Sequence, residues 1–465
     1  MTTSNPRPHW SALASAVLAA LLFLLPGPAG AHDPARDFER AVEHAHAGER
    51  SLARSLLETV LISPRVGHST RAQAYYSRGL LFYLDGLPVS AGQDFRRALE
   101  FDPKLATAQS ALAWLHLQGQ GVARHAGRAL ALYESAARNG HREAQFNLAL
   151  LLAQGRVTEP VPRDALYWFE AAARQGHVEA MAQAGQLLAR GDAGDKLIAD
   201  PERARTYLEQ AAERGHLRAK LELGLLLGSG PTEVRDPEAA VSWLEAAAAR
   251  GSASAQSRLG YLYLNGLGVP RDSELALMWF REAATQGDTA AQAHLGYLFD
   301  QGIGTDADPA RAYTWYRRAA QRDHPTAQLN LALMYRFGRG VPQDTRQTRY
   351  WLERAAASGS QSALPTLAWL LATSSDPAVR DPERAIELAR EAVAEQPSAI
   401  WLDTLAAALA TSGRFKDAVQ IQQQALASLA AEAQDREVSG GRRQAYLGRL
   451  AAYREGRPWR SEEDE

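Results

Sequence analysis

Trp243, Trp279, Trp315 and Trp351 stand 36 residues apart, and Ala219, Ala255, Ala291 and Ala327 keep the same interval. A fixed period of this length excludes most single-core folds. Each period must be one supersecondary unit that hides its apolar face only by stacking on the next. The period is plainest from Ala253 to Asp288 and returns at once as Thr289–His324 and Pro325–Ser360.

Within one period, Ala255, Leu259, Leu262 and Tyr263 recur at the three-and-four spacing of a helix face, which predicts a first helix of about 12 residues. The Gly266-Leu267-Gly268-Val269-Pro270 segment ends it, since glycine reaches left-handed backbone angles and proline cannot extend a helical ladder. A second helix then begins at an aspartate. Asp200, Asp236, Asp272, Asp308 and Asp344 hold one register, with Pro201, Pro237 and Pro309 in the first-turn position that follows. An aspartate there accepts hydrogen bonds from the orphan amides of a helix start, so these residues read as caps and not as catalytic acids. The second helix carries Leu277, Trp279, Phe280, Ala283 and Ala284 and stops at Gly287. Alanine pairs at Ala247/Ala248, Ala283/Ala284, Ala319/Ala320 and Ala355/Ala356 let neighbouring helices approach closely.

The pattern A-Q-x-x-L-G-x-L-Y-x-x-G-x-G-V-P-x-D, followed by A-x-x-W-F-x-x-A-A-x-x-G, closely resembles the Sel-one-like repeat (SLR), the longer-turned cousin of the tetratricopeptide repeat (TPR). Seven such units occupy residues 105–360, beginning near Ala106, Glu143, Val178, Leu217, Ala253, Thr289 and Pro325. The third is longer, with 39 residues from Trp168 to Tyr207. The second and third lack the Gly-x-Gly turn, so local divergence is expected at Gln154–Pro162 and Gly191–Asp200. Residues 32–104 and 361–429 resemble TPR hairpins and suit a capping role at the two ends, where a unit has no neighbour. Residues 430–465 read as a polar tail with one further helix at Gln444–Tyr453. The resemblance implies an all-α fold, a right-handed α/α superhelical solenoid of roughly eleven SLR/TPR-like helix hairpins.

Residues 1–31 read as an export signal. Arg7 supplies a short basic region, Ser11–Leu25 an apolar run of 15 residues, and Ala29-Gly30-Ala31 a small-x-small cleavage site. Fifteen residues fall short of the ~20 that a membrane span needs. The expectation is cleavage near Ala31 and a chain exported to the periplasm or secreted, with no stable membrane insertion. The sequence contains no cysteine, which excludes disulfides and thiolate metal sites and separates it from exported relatives with a disulfide in every repeat. A net charge of −2, without basic clusters, argues against nucleic acid. The acidic end Glu462-Glu463-Asp464-Glu465 reads as a solvated tail.

Candidate chemistry is sparse. His141, His177, His216 and His324 share one register with Ser252, Asp288 and Ser360 at the repeat junctions. Adjacent units stack roughly 10 Å apart, and imidazoles so spaced cannot share a zinc ion that needs nitrogens at ~2.1 Å. Gly228-Ser229-Gly230 falls in a turn and not on a strand-to-helix elbow, and H-E-x-x-H, Walker and paired-cysteine motifs are absent. The tryptophans follow the core period, which favours packing over sugar stacking. No catalytic, cofactor-binding or metal residue follows from the sequence.

What remains is surface. The resemblance places inward-facing groove sites three before, one after and four after the small residue at Gly260, Gly296 and Ala332. Those sites are Ser257, Tyr261 and Leu264; Ala293, Tyr297 and Asp300; Leu329, Leu333 and Arg336. Tyr261 and Tyr297 would form an aromatic ladder flanked by Arg336, tyrosine and arginine being favoured interface anchors; packing of both rings against the adjacent helix is the alternative. The asparagine and lysine pairs that clamp a peptide carboxylate in some TPR domains are not evident. The resemblance therefore implies a non-catalytic scaffold or adaptor of the bacterial cell envelope, holding a protein or peptide partner in its groove. One rival is a periplasmic regulator of a membrane sensor or of exopolysaccharide or secretion machinery. The other, a cell-wall or β-lactam hydrolase, is disfavoured by the missing cysteines and the lack of a nucleophile–base pair.

Overall fold

A computed structural model describes residues 33–155, 159, 161–192, 197–432 and 440–460. The leader-like segment through Ala31 and the acidic end from Glu462 lie outside the described residues. The described residues form 23 α-helices and no strand. The chain divides into two compact units, the first running to Leu226 with Gly230–Val234, the second comprising Leu227–Ser229 and everything from Arg235 on.

The first unit contains α1 (Pro34–His46), α2 (Arg50–Ile62), α3 (His68–Leu84), α4 (Pro88–Phe101), α5 (Ala106–Gln118), α6 (Ala126–Arg138), α7 (Arg142–Gln154), α8 (Pro162–Arg174), α9 (Val178–Arg190) and α10 (Pro201–Glu213), followed by α11 (Leu217–Ser229). The second contains α12 (Pro237–Ala248), α13 (Ala253–Asn265), α14 (Ser273–Thr285), α15 (Thr289–Gln301), α16 (Pro309–Ala320), α17 (Pro325–Phe337), α18 (Thr345–Ala357), α19 (Ala363–Thr373), α20 (Pro382–Glu395), α21 (Ala399–Thr411), α22 (Phe415–Glu432) and α23 (Gly440–Arg454). Within each unit the helices pack mainly on their neighbours in sequence, with α19 also against α21, so each unit is a stack of hairpins, the solenoid arrangement that the period requires. In each repeat the first helix is here termed A and the second B.

The B helices begin as the aspartates dictate. Asp236, Asp308 and Asp344 accept from the backbone N–H three residues on at 3.0, 3.0 and 2.9 Å, and Asp200 and Asp272 cap in the same way. Inside a repeat, the A helix meets the B helix through a residue without a side chain. A Cβ placed on Gly296 would lie 2.7 Å from the Tyr316 ring, and one on Gly260 2.9 Å from Phe280. Phe280 and Tyr316 are fully buried, and burying a ring of this size contributes about 1.5–3 kcal/mol. The tryptophan register lies one residue, or about 100°, away from this centre. Trp243, Trp279 and Trp315 are only half-buried and Trp351 alone is buried, whereas Leu244, Phe280, Tyr316 and Leu352 fill the core. The periodic tryptophans thus flank the core and do not form its middle.

Between repeats the contact is backbone on backbone. Gly304 has φ +70° and a Cβ there would lie 2.4 Å from the carbonyl oxygen of Ser273, the first residue of the preceding B helix; Gly340, at φ +66°, meets Pro309 in the same way at 2.3 Å. Only glycine satisfies both the left-handed angle and the missing volume. A second tie crosses the same junction. Gln145, Gln292 and Gln328, all buried, donate from Nε2 to Ala137, Ala284 and Ala320, the ends of the preceding B helices, at 3.1, 3.2 and 3.1 Å.

The long turn of the third repeat differs as expected. Asp192 and Leu197 exchange backbone hydrogen bonds of 2.8 and 2.9 Å, and this small bridge stands where other repeats have Gly-x-Gly. The polar stretch after residue 430 lies partly outside the described residues, and the last helix is longer than the sequence implied, starting at Gly440. Its Arg449 reaches the buried carboxylate of Asp403 at 2.8 Å.

Gly304→Ala should destabilise the protein by about 2 kcal/mol or more in denaturant unfolding, combining backbone strain with a backbone clash. Gly359→Ala, at φ +89° with open space around it, should cost only the strain of about 1 kcal/mol. Equal losses at the two positions would show that the junction does not depend on close approach.

Candidate partner surface

The residues assigned to the groove lie on three successive A helices of the second unit, α13, α15 and α17. Because Gly260, Gly296 and Ala332 face their own B helices and are buried, the residues beside them turn outward along the A-helix face. Tyr297 is 43% exposed. Ser257, Leu333 and Arg336 are half-buried, and Tyr261, Leu264 and Leu329 are half-buried against the apolar core of the unit; Ala293 is buried.

His294 is the ring beside Tyr261, with centroids 6.2 Å apart, and it stacks on Phe280 at 4.8 Å. The Arg258 guanidinium lies 5.1 Å above the Tyr261 ring. Arg336 covers Phe337 at 5.3 Å, and Phe337 is 51% exposed, a surface aromatic that the register argument passed over because it sits at the last residue of its helix. Asp300 is not available to a partner. Its side chain is 6% exposed and both oxygens accept from Arg339 Nη1, at 3.2 and 3.3 Å, which ties one repeat to the turn of the next. Asp300 is also the one acidic residue in α13, α15 and α17. The face therefore presents aromatic rings and guanidinium groups.

The junction histidines have a defined task that the sequence reading did not assign. His141, His177, His216 and His324 precede A helices, and in each the Nδ1 accepts from the backbone N–H three residues later, at 3.1, 3.1, 3.0 and 3.3 Å. Ser252 and Asp288 make the same bond with oxygen, at 3.3 and 2.8 Å. Ser252 and Asp288 in the same register were the available signal, since both are standard cap residues. An accepting Nδ1 fixes the neutral ring with its proton on Nε2. His216 uses that proton to bond Glu179 at 2.7 Å, and this bond holds the Glu179 carboxyl below the usual carboxylate range. Burial pushes the His141, His177 and His324 imidazoles below their ordinary value.

Since these three rings hold their protons less tightly in the folded chain, the unfolded chain takes up protons first as the pH drops below about 6.5. Their cap contribution is complete above that value and is lost as the pH falls toward the folded-state values. The triple variant H141S/H177S/H324S keeps a cap that does not titrate, as Ser252 shows. It should lose less thermal stability between about pH 7 and pH 5 than the parent, by about 1 kcal/mol per site at most. Parallel pH profiles for the two proteins would refute the histidine caps as the source.

Among the described residues no three histidine, cysteine or acidic side chains gather as a metal site, and no helix is long and apolar enough to cross a membrane.

Stacked helix hairpins of fixed length, capped in register and joined by glycine turns, define an α-solenoid repeat protein, a class built to display surface. A Sel1 repeat profile matches residues 71–101, 106–141, 142–177, 178–216, 217–252, 253–288, 289–324, 325–360 and 367–396, more than half of the sequence, so the chain belongs to the Sel1 repeat family. The first and last matches carry the repeat into the hairpins that the sequence likened to TPR units. A protective antigen present in uropathogenic Escherichia coli strains, displaying an SLR fold, is 25% identical over 80% of this chain and 79% of its own, with a TM-score of 0.60. A Sel1 repeat protein from Oxalobacter formigenes is also 25% identical, covering 75% of this chain and 97% of its own, with a TM-score of 0.53. No curated protein matches the chain in sequence. Sel1 repeat proteins are generally non-catalytic scaffolds for protein–protein interaction, and that is the class of activity the fold supports here.

Proposed function

We propose that this protein is a cell-envelope scaffold that holds a protein partner against the A-helix face of its second unit. The observation that carries the reading is the exposure of Tyr297 and Phe337 on α15 and α17, beside Arg336, on a face whose one carboxylate is already paired. Exposed aromatic and arginine side chains on a rigid surface are what hot spots are made of, and a surface ordered before binding saves the entropy that a flexible one loses. Export is supported by the leader-like segment ending at Ala31 and by the likeness to an antigen, a protein met by the immune system. Ser257, Tyr261, Leu264, Leu329 and Leu333 form the half-buried floor of the groove, and Asp300 holds its repeats in register.

A photocrosslinking residue at position 297 in the native host should capture one envelope protein, and the same residue at Thr314, exposed on a B helix, should not. Equal capture from both, or capture from 314 alone, removes the A-helix face as the binding surface. A captured membrane sensor would assign the scaffold a regulatory role. Tyr297→Ala should change unfolding free energy by less than about 0.5 kcal/mol while abolishing capture of that partner from position 333. Tyr261→Ala, which also removes packing on His294, should cost about 1–2 kcal/mol.

A further inference from the structure

The first unit carries a second recognition feature, on its B helices. Between α6 and α8 lies a cleft of about 460 Å³ lined by Arg138, Gly140, Gln145, Tyr167, Trp168, Arg174 and Gln175 with Ala137 and Ala171. Tyr167 is 60% exposed and stands edge-on to Trp168 at 4.9 Å, so its ring has one edge contact and an open face. Arg138 and Arg174 occupy the same register of successive B helices and are both exposed. Arg138 has only a 3.4 Å contact to Glu134, itself partly exposed, and Arg174 pairs with no carboxylate among the described residues. The amides in the cleft are already spent. Gln145 donates to Ala137 O at 3.1 Å, and Gln175 donates to Gly140 O at 3.1 Å and to Gln145 Oε1 at 2.8 Å.

The chemistry left over is narrow. The Ala137 and Gly140 carbonyls that line the cleft already accept from glutamine amides, which leaves them less to offer the backbone of an extended peptide. The cleft offers an open aromatic face and two guanidinium groups. An aromatic face binds the C–H side of a pyranose ring, and guanidinium forks bind carboxylates. We propose that this cleft binds an acidic saccharide through one uronic acid unit, its ring on Tyr167 and its carboxylate between Arg138 and Arg174. This site is distinct from the partner surface of the second unit, and either can fail without the other.

Titration calorimetry of the full chain with tetragalacturonate, with maltotetraose as the neutral control, tests the assignment. The acidic oligomer should bind and the neutral one should bind at least tenfold more weakly. Arg174→Ala and Tyr167→Ala should each weaken binding by about tenfold or more, and Tyr167→Phe, which keeps the ring, should retain it. Both positions are exposed, and unchanged thermal midpoints would confirm that the variants fold. Absence of heat with tetragalacturonate, equal binding of maltotetraose, or undiminished binding by Arg174→Ala would each overturn the proposal. So would preferential binding of an acidic aromatic peptide that the same substitutions abolish, which would make the cleft a peptide site.

Discussion

The stack depends on the approach of one backbone to another at the repeat junction. At Gly121, Gly268, Gly304 and Gly340 the second glycine of the Gly-x-Gly turn rests on the first residue of the preceding B helix at a distance that no side chain permits. This fixes how far each repeat sits from the last, and the remaining ties follow from that spacing. The buried glutamine reaches the end of the preceding B helix because the two are held within hydrogen-bond range, and Asp300 reaches Arg339 because the next turn is brought alongside. The same spacing explains the small residues. Paired alanines at the B-helix ends and glycine on the A helices leave room for Phe280 and Tyr316 to fill the interior completely.

Much of this was legible in the sequence, because periodicity, caps and turn glycines are local signals. The five register aspartates act as caps, the seven SLR starts fall within one residue of observed A-helix starts, and a last helix covers Gln444–Tyr453. Side-chain partners were less legible. A histidine cap is rare beside serine or aspartate, so the sequence set the four histidines at the repeat junctions and apart from zinc without assigning their Nδ1 bonds. The glutamine in the A-Q motif was visible, but its acceptor belongs to the preceding repeat and only the stacking geometry reveals it. The tryptophans pack as the sequence implied, Trp351 within the core and Trp315 against it, but their period could not say which, since a residue beside the core has the same period as one inside it. The Asp403–Arg449 pair joins residues 46 positions apart, beyond the reach of any repeat-based argument.

The two surfaces arise from one scaffold by different means. On the A helices of the second unit, outward positions are occupied by aromatic and cationic residues without an opposing free carboxylate. On the B helices of the first, a matching arginine register frames an exposed tyrosine. In both cases the rigid element beneath is set by buried residues that are similar from repeat to repeat, so the displayed side chains can vary without cost to the core. Small polar changes at positions 138, 174, 297 or 336 alter what is displayed and leave the apolar centre of each repeat untouched.

The nearest-neighbour character of the stack also shapes how the chain acquires its structure. The hydrogen bond from Arg460 to Thr411 spans 49 positions and is among the longest in sequence separation, while most junction ties span 8 to 39. Loop closure over such short separations is entropically cheap, and folds of low contact order form quickly. Each repeat can therefore close against the one before it as soon as it leaves the ribosome, with no need to wait for distant sequence. Folding then advances as a front along the chain, and an interruption leaves a shorter ordered stack with one uncapped end.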